Sequence, residues 1–373
     1  MTSGLAGHAT AAVTALQDWY DWDTGLWAVP GSAGWWNSAN ALYALVDYMS
    51  VTGTDRYLDV VENTFARNCD GGFLNDFYDD EGWWALAWIH ACDLLDGRDQ
   101  AAGRDHIGQQ AYLEAAQAIF ADMETGWDAG TCEGGVIWKK GGPGKNSIEN
   151  ELFLAVAARL YQRSPAAGPQ RAHYLEWIGR EGEWFHRSFI AVPGAGGLIY
   201  DGLASPPSGP CTHDGHQQTF TYTQGVILGA LADLDACGLA IAGHEPLPVA
   251  TQIADAAIAR LSSDGILTEY GPDFGQDYDL PQFKGIFMRN LARLAECVGP
   301  GGNAGYVSYI RRNADSVVAS DCNDRSQFGY RWQGPFDEAD AVRQTSALEA
   351  LNAALRAGWR TPFGKAGSPA SRI

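Results

Sequence analysis

Basic residues are scarce in this chain. Among its 373 residues there are 25 Lys and Arg against 45 Asp and Glu, which gives a formal net charge of -20. A surface with this excess of negative charge repels phosphate backbones and anionic lipid headgroups. The sequence therefore predicts no nucleic-acid partner and no attachment to a membrane surface.

The cysteines lack the spacing of a disulfide framework or a zinc ribbon. The segment His213-Asp214-Gly215-His216 has the residue types of metal ligands, but it has no obvious third ligand, so we expect a solvated loop there. We expect no metal and no cofactor. The seven cysteines are odd in number, form no CxxC pair and are scattered at Cys69, Cys92, Cys132, Cys211, Cys237, Cys297 and Cys322.

Targeting and membrane-spanning segments are not evident either. Residues 1–8 lack a basic region followed by an apolar run, which is the pattern of a secretory signal. The most apolar stretch, residues 226–242, contains Asp233 and Asp235 and is too polar and too short for a membrane span. We expect a cytoplasmic protein from the sequence as it stands, or a secreted one if a signal peptide has been removed.

Clean alternation of apolar and polar residues is scarce, whereas apolar residues recur at helical spacing along most of the chain. Together with the helix start and stop signals, this spacing predicts an all-α protein. Twelve helices are predicted near residues 5–19, 38–52, 55–66, 80–95, 108–123, 147–162, 171–186, 222–240, 247–261, 282–296, 303–319 and 338–356.

The connections between these helices alternate in length. Those that enter the even-numbered helices are mostly long and rich in Gly, Trp and Tyr, and in a series of antiparallel pairs they lie at one end. The even-numbered helices are apolar on nearly all sides, which is typical of an inner ring. The pattern predicts an (α/α)6 barrel, a monomer with one domain at residues 1–360 and a C-terminal tail at residues 361–373. An α-solenoid is the alternative.

In such a barrel the starts of the inner helices converge on one pit. Each predicted start mixes hydrogen-bonding groups with an aromatic residue or a cation, and the chain is 12% aromatic. Aromatic rings of this kind bind flat apolar faces of ligands, which include sugars. For hydroxyl hydrogen bonding or ring stacking we single out Trp36, Asn37, Asn75, Trp83, Asn146, Tyr222, Gln224 and Lys284.

The adjacent acids Asp79 and Asp80 precede the pair Trp83 and Trp84 at the start of the fourth helix. Glycoside cleavage needs one acid to protonate the leaving oxygen and a second carboxylate across the scissile bond. Neighbouring helical side chains diverge by roughly 100°, which favours the short carboxyl separation of a retaining enzyme. A helix start favours an ionised aspartate, whereas contact with tryptophan favours a protonated one. The residues alone leave open which of Asp79 and Asp80 is the ionised acid. Alternatively, the acids form only a favourable first turn.

Residues 75–88, with the paired aspartates followed by Gly-Trp-Trp, resemble the signature of glycoside hydrolase family 76, the endo-α-1,6-mannanases. Further segments resemble the same family in its own order along nearly the whole chain. They lie at residues 35–42, 145–153, 222–229, 264–269, 282–289 and 334–337.

The resemblance implies an (α/α)6 barrel, a retaining mechanism and α-1,6-linked mannose polymers as substrate. By position in the family motif, Asp79 would be the nucleophile and Asp80 the general acid/base. Family members are usually exported, and the absence of a visible signal departs from that pattern. Fungal relatives are thought to transfer mannan-bearing anchors to wall glucan, so transglycosylation at the same site is a possible variant.

Two other kinds of function fit the same barrel. Sugar isomerases and epimerases that use a histidine as acid/base also have six helical hairpins, but no histidine occurs at the six predicted inner helix starts. The other is a mannan-binding protein without catalysis, although both aspartates are present here. We find no Ser-His-Asp motif of the nucleophile-elbow type.

Overall fold

The computed structural model describes residues 2–32, 34–102, 107–192, 196–204, 210–269 and 279–358. The predicted helices are confirmed in number and order. Within the described residues there are twelve α-helices: α1 (Thr2–Leu16), α2 (Trp35–Thr52), α3 (Leu58–Asn68), α4 (Tyr78–Ala102), α5 (Ile107–Thr125), α6 (Ser147–Arg163), α7 (Pro169–Phe185), α8 (Thr221–Ala236), α9 (Pro246–Arg260), α10 (Leu280–Val298), α11 (Ala304–Ser320) and α12 (Ala341–Gly358).

Local sequence signals explain several helix ends. Asn146 and Glu149 form a capping box at the start of α6, in which each side chain binds the other residue's backbone N–H. Helix α8 ends at Ala236, before the predicted residue 240, and Gly238 follows with a φ of 68°. This left-handed conformation is easily adopted only by glycine, so it stops the helix. Helix α12 begins after Asp340, whose Oδ1 accepts the N–H of Arg343 at 2.8 Å.

The even-numbered helices form a closed inner ring. Helix α2 packs against α4, and the contacts continue through α6, α8 and α10 to α12, which returns to α2. The odd-numbered helices pack outside this ring, with α1 against α12, α5 against α4, α7 against α6 and α9 against α8. The closed ring confirms the (α/α)6 barrel and excludes the α-solenoid, in which the first and last repeats do not meet.

Glycine allows the inner helices to approach closely. A Cβ on Gly225 of α8 would lie 2.6 Å from the Cα of Phe287 in α10. A Cβ on Gly285 of α10 would lie 2.6 Å from the Cα of Ser346 in α12. Both separations are too short for real atoms, so these two glycines set the spacing of three consecutive inner helices.

Long connections gather at the end of the barrel where the inner helices begin. Among the described residues, this end carries three two-stranded antiparallel sheets: β1 (Tyr20–Asp21) with β2 (Leu26–Trp27), β3 (Lys145–Asn146) with β4 (Gly202–Leu203), and β5 (Ser262–Ser263) with β6 (Ile266–Leu267). The β3–β4 pair joins the connections at residues 126–146 and 186–220, with Lys145 opposite Leu203.

A disulfide joins the same two connections. Cys132 and Cys211 are bonded, with a Cα separation of 5.4 Å, while the other five cysteines are free. The chain thus has no disulfide framework within the described residues, as expected, but the scattered spacing of the cysteines did not reveal this single bond. The bond lies where two long connections meet, and such proximity is not visible in the sequence.

The expectation of a solvated loop at residues 213–216 is wrong for His213. Its side chain is buried, and its ring nitrogens lie 2.8 Å from the carbonyl oxygen of Gly202 and 3.0 Å from that of Ser188. The ring also contacts Phe189 and Tyr200. His213 therefore packs as a link between neighbouring loop segments.

At the other end of the barrel, the C-terminal halves of the inner helices surround a cavity of about 240 Å³. Asp233 of α8 accepts hydrogen bonds from Arg159 Nε at 2.8 Å and Arg293 Nη2 at 3.1 Å. Cations stabilise the negative ends of helix dipoles, so this cluster offsets the convergence of six C-termini. Its five arginines are Arg159, Arg163, Arg289, Arg293 and Arg356.

Some expectations lie outside what the structure describes. The tail predicted at residues 361–373 is beyond the described residues. Across the described part of the chain, helices of sufficient length and apolarity to cross a membrane are absent. The expectations of a monomer and of a cytoplasmic location stay predictions.

Candidate active site

The two adjacent acids lie at the mouth of the barrel. Asp79 and Asp80 occupy the first turn of α4, directly after Tyr78. Both side chains line a cavity of about 450 Å³ at the starts of the inner helices. The other residues that line it are Ser32, Trp36, Phe77, Trp83, Trp138, Asn146, Ile148, Asp201, Phe220, Tyr222, Asp279, Leu280 and Phe283.

Asp79 is held by an indole from another connection. Trp138 Nε1 donates a hydrogen bond to Asp79 Oδ2 at 3.0 Å. Burial raises the pKa of Asp79 to about 6, while the Trp138 hydrogen bond and nearby backbone N–H groups oppose that rise. Asp79 is therefore mainly ionised at neutral pH.

Asp80 has a different environment. Asn75 Nδ2 donates a hydrogen bond to Asp80 Oδ2 at 2.6 Å. Burial and the adjacent charge of Asp79 raise the pKa of Asp80 well above its usual value, against the effect of Asn75. Two like charges this close resist simultaneous ionisation, so the pair loses its protons in two separate steps.

These environments create a pH range in which one acid is ionised and the other is protonated. Asp79 loses its proton first, because its own charge then adds to burial in raising the pKa of Asp80. A carboxylate beside a carboxylic acid is the combination needed for acid-assisted cleavage of a glycosidic bond.

Two further carboxylates face the cavity. Asp201 comes from the connection before α8, and burial raises the pKa of Asp201 to about 6. Asp279 directly precedes α10 and accepts a hydrogen bond from Trp36 Nε1 at 2.9 Å. Lys, Arg and His are absent from the cavity lining within the described residues. The ionisable charged residues among the described lining are thus all acidic, in keeping with the net negative charge of the whole chain.

Aromatic rings form the cavity walls. Tyr222 stacks on Phe283 with ring centroids 3.8 Å apart and planes 10° from parallel. Trp36 lies 5.9 Å from Trp83 and 6.0 Å from Phe283. These rings provide apolar surface next to the acids, an arrangement that suits a ligand with flat apolar faces and polar edges.

Six of the ten residues chosen from the sequence meet in this cavity. Trp36, Asp79, Asp80, Trp83, Asn146 and Tyr222 all line it. Asn146 is held in place by the capping box, in which its backbone N–H donates to Glu149 Oε1 at 2.5 Å. Direct contact of these residues with a sugar stays a prediction.

The remaining four do not line the cavity, and their contact with a sugar stays a prediction. Asn75 orients Asp80, as described above. Asn37 is buried and donates to Gln282 Oε1 at 2.8 Å. Gln224 is buried and binds the backbone N–H and carbonyl of Ile199 at 2.8 and 2.9 Å. These hydrogen bonds to other protein groups fix both side chains behind the cavity lining.

Lys284 is also engaged by groups within the protein. Its ammonium is buried, donates to the carbonyl oxygen of Tyr330 and lies 4.7 and 4.5 Å from the ring centroids of Tyr330 and Trp332. Burial lowers the pKa of Lys284 to about 8, against the charges of Asp321 and other acids nearby. This lysine anchors the connection before α12.

Sequence reasoning missed Trp138, Asp201, Phe220, Asp279 and Phe283 as cavity residues. Asp279 and Phe283 had a usable signal, because they flank the predicted start of α10. Trp138 and Asp201 lie within long connections, and periodicity does not predict where loop side chains point.

Comparison with known proteins identifies relatives of this chain. Residues 5–365 match the family model described as Glycosyl hydrolase family 76. A mannan endo-1,6-alpha-mannosidase of Saccharomyces cerevisiae is 28% identical over 340 residues, which are 85% of this chain and 71% of that protein. A mannan endo-1,6-alpha-mannosidase of Eremothecium gossypii is 26% identical over 303 residues. That match covers 77% of this chain and 63% of the Eremothecium protein.

Solved structures share the fold. An inactive variant of an alpha-1,6-mannanase of Salegentibacter sp. HEL1_6, with two consecutive aspartates replaced by asparagine, is bound to alpha-1,6-mannotriose. It is 22% identical with a TM-score of 0.77, and the match covers 94% of this chain and 99% of that one. Dfg5 from Chaetomium thermophilum, bound to glucosamine, is 18% identical with a TM-score of 0.76, covering 95% and 91%.

Proposed function

Because this chain belongs to glycosyl hydrolase family 76 and is a glycosidase, we propose that it hydrolyses α-1,6-mannosidic linkages with retention of configuration. The substrate is mannan or a mannose-containing glycoconjugate. The observation that carries this proposal is the pair Asp79 and Asp80, which share one cavity and have their pKa values driven apart.

In the first step the Asp79 carboxylate attacks the anomeric carbon of the mannosyl unit. The bond from that carbon to the departing oxygen breaks, and Asp80 gives its proton to this oxygen. The products are a mannosyl ester on Asp79, an Asp80 carboxylate and the released part of the chain with a new hydroxyl group.

In the second step Asp80 acts as a base. It takes a proton from a water molecule while the water oxygen attacks the anomeric carbon, and the bond to Asp79 breaks. Asp79 regains its negative charge and Asp80 its proton, so both acids return to their starting states. Two displacements at one carbon restore the original configuration.

The cavity suits an uncharged polyol. Asp201 and Asp279 offer oxygen acceptors to sugar hydroxyl groups, and the ring of Tyr222 offers an apolar face. The S. cerevisiae and E. gossypii relatives are mannan endo-1,6-alpha-mannosidases, and the Salegentibacter enzyme binds alpha-1,6-mannotriose, which supports this linkage and sugar. An isomerase that depends on a catalytic histidine is disfavoured, because histidine is absent from the described cavity lining.

Hydrolysis of linear α-1,6-mannan tests the proposal. We expect turnover by the wild type, with initial release of the α-anomer by proton NMR, and losses of about 10³-fold in Asp79→Asn and Asp80→Asn, since each removes an acid/base or nucleophile role. Asp76→Asn is the matched control, because this neighbouring aspartate is exposed. Its activity should equal that of the wild type.

Other outcomes would point elsewhere. Turnover that survives both substitutions would remove the pair from the mechanism. Initial release of the β-anomer would replace retention by inversion. Tight oligosaccharide binding without turnover would favour a mannan-binding protein, and transfer to an added sugar acceptor in place of water would favour transglycosylation.

A further inference from the structure

Trp138 reaches Asp79 from a separate connection, so something must hold that connection against α4. Residues 138–140 run beside residues 76–78. Tyr78 N–H donates to the carbonyl of Trp138 at 3.0 Å, and Lys140 N–H donates to the carbonyl of Asp76 at 2.9 Å. The rings of Phe77 and Trp138 also meet, with centroids 4.9 Å apart. This short pairing sets the indole beside the first turn of α4.

Lys140, Glu81 and Asp122 form a triad that reinforces the pairing. The ammonium of Lys140 lies 2.6 Å from Glu81 Oε1 and 2.7 Å from Asp122 Oδ2. Glu81 is fully buried on α4 immediately after Asp80, and Asp122 lies on α5. Lys140 thus joins the connection to two helices at once.

The same carboxylate also reaches the second acid. Glu81 Oε1 accepts the backbone N–H of Asn75 at 3.2 Å, and the side chain of Asn75 donates to Asp80. Burial raises the pKa of Glu81 to about 8, and the ammonium of Lys140 opposes this rise. Without Lys140, a buried acid one residue from the pair would lose its cation.

We propose that Lys140 is a positioning residue, which through Glu81 and Asp122 clamps the 138–140 segment to α4 so that the Trp138 indole holds Asp79 as its anion. The inference rests on the proposed function, in which Asp79 must be ionised to attack. Lys140 itself does not line the cavity and touches neither acid of the pair.

Asp79 faces other groups that bear on its titration. Asp80 lies beside it on α4, and Asp279 faces it from the segment before α10. Glu149 of α6 and Tyr222 of α8 also interact with its charge. Of these groups, Asp279 raises the pKa of Asp79 by its charge. The Trp138 hydrogen bond and the backbone N–H groups of Asp79 and Asp80 act in the opposite direction, so loss of the indole must raise the pKa of Asp79.

The test is the acid limb of the pH profile of kcat/KM on α-1,6-mannan. We expect Trp138→Phe to move this acid limb to higher pH by about one unit, because the charged Asp79 carboxylate loses one hydrogen bond. Lys140→Met should move it the same way by about half a unit, and Lys140→Arg, which keeps the cation, should restore the wild-type limb. Lys139→Met is the matched control, because the Lys139 side chain is exposed and lies over the Phe77 ring.

The double variant separates positioning from other effects. If Lys140 acts through the indole, Trp138→Phe with Lys140→Met should shift the acid limb no further than Trp138→Phe alone. Shifts that add would mean that Lys140 acts directly by its charge and would overturn the proposal. So would a Lys140→Met variant that melts at a lower temperature but keeps the wild-type limb.

A second readout does not require turnover. The indole ¹⁵N–H resonance of Trp138, assigned by its absence in Trp138→Phe, should titrate with Asp79, and Lys140→Met should raise the midpoint of that titration. A wild type that cleaves no mannan would refute the proposed function. A raised midpoint of the indole titration in Lys140→Met would still support the positioning role of Lys140. An unchanged midpoint in a folded Lys140→Met variant would contradict it.

Discussion

Asp79 and Asp80 are neighbours in the chain, but their carboxyl groups meet different partners. Asp79 receives the indole of Trp138, a residue far away in sequence, whereas Asp80 receives the amide of Asn75 five residues before it. The difference in pKa between the two acids arises from these partners, from burial and from mutual repulsion. The pKa of each acid therefore depends on the groups that the fold places next to it.

The pH dependence of activity follows from these pKa shifts. We predict a bell-shaped profile of kcat/KM, with an acid limb near pH 6 from Asp79 and an alkaline limb from Asp80. Asn75→Ala removes the hydrogen bond that favours the Asp80 anion, so the pKa of Asp80 rises and the alkaline limb moves to higher pH. We expect a fall of about tenfold in kcat, since one hydrogen bond to a charged group is lost.

The pH profile of the wild type, Asn75→Ala and an Asn63→Ala control checks this prediction. Asn63 binds Tyr20 and the carbonyl of Trp22, away from the cavity, so its substitution should leave both limbs in place. An alkaline limb that stays put, or moves to lower pH, in Asn75→Ala would refute the role given to Asn75.

Single helices show which of their features depend on periodicity and which depend on individual residues. The start of α6 was predictable, because Asn146 and Glu149 have the spacing of a capping box. The predicted end of α8 was too late, because apolar residues continue beyond the glycine that terminates it. Periodicity thus found each helix, while its ends depended on single residues.

The C-terminal end of α8 is held by a buried ion cluster. Asp233 is almost completely buried, and although burial opposes it, the guanidinium groups of Arg159 and Arg293 lower the pKa of Asp233. A carboxyl group with a depressed pKa stabilises the fold above its unfolded pKa of about 4, and this contribution is lost as the pH falls through the folded value.

Asp233→Asn should therefore destabilise the protein by about 3 kcal/mol at neutral pH, because it leaves two guanidinium groups without their shared anion. Urea unfolding at pH 7 measures this loss, and the difference from the wild type should shrink below pH 4. Asp235→Asn, two residues further on and more exposed, is the matched control with little expected change. Equal destabilisation by the two variants would mean that the ion cluster is not the cause.

At the scale of the whole molecule, closure of the ring places every inner helix start at one mouth. The cavity draws residues from five of these starts and from the connections that precede them. Two of those connections, at residues 126–146 and 186–220, are joined by β3–β4 and by the Cys132–Cys211 bond. One side of the mouth is therefore cross-linked.

Removal of this disulfide should affect the whole fold. The bond closes a loop with a sequence separation of 79 residues, for which chain entropy predicts a stabilisation of about 4.5 kcal/mol. We expect Cys132→Ser with Cys211→Ser to unfold at lower urea concentration than the wild type and to bind mannan more weakly. Cys69→Ser, at a free cysteine, should behave as the wild type, and identical unfolding of all three proteins would contradict the prediction.

The sequence by itself determined the helix count, the alternation of long and short connections and hence the barrel, because these depend on periodicity and on chain order. It also placed the acid pair, since Asp79, Asp80 and their helix start are local features. Only the tertiary structure decided which polar groups face the cavity. Lys284, Gln224 and Asn37 turned inward to satisfy buried carbonyl and amide groups, while Trp138 and Asp201 entered from loops whose direction no periodicity encodes.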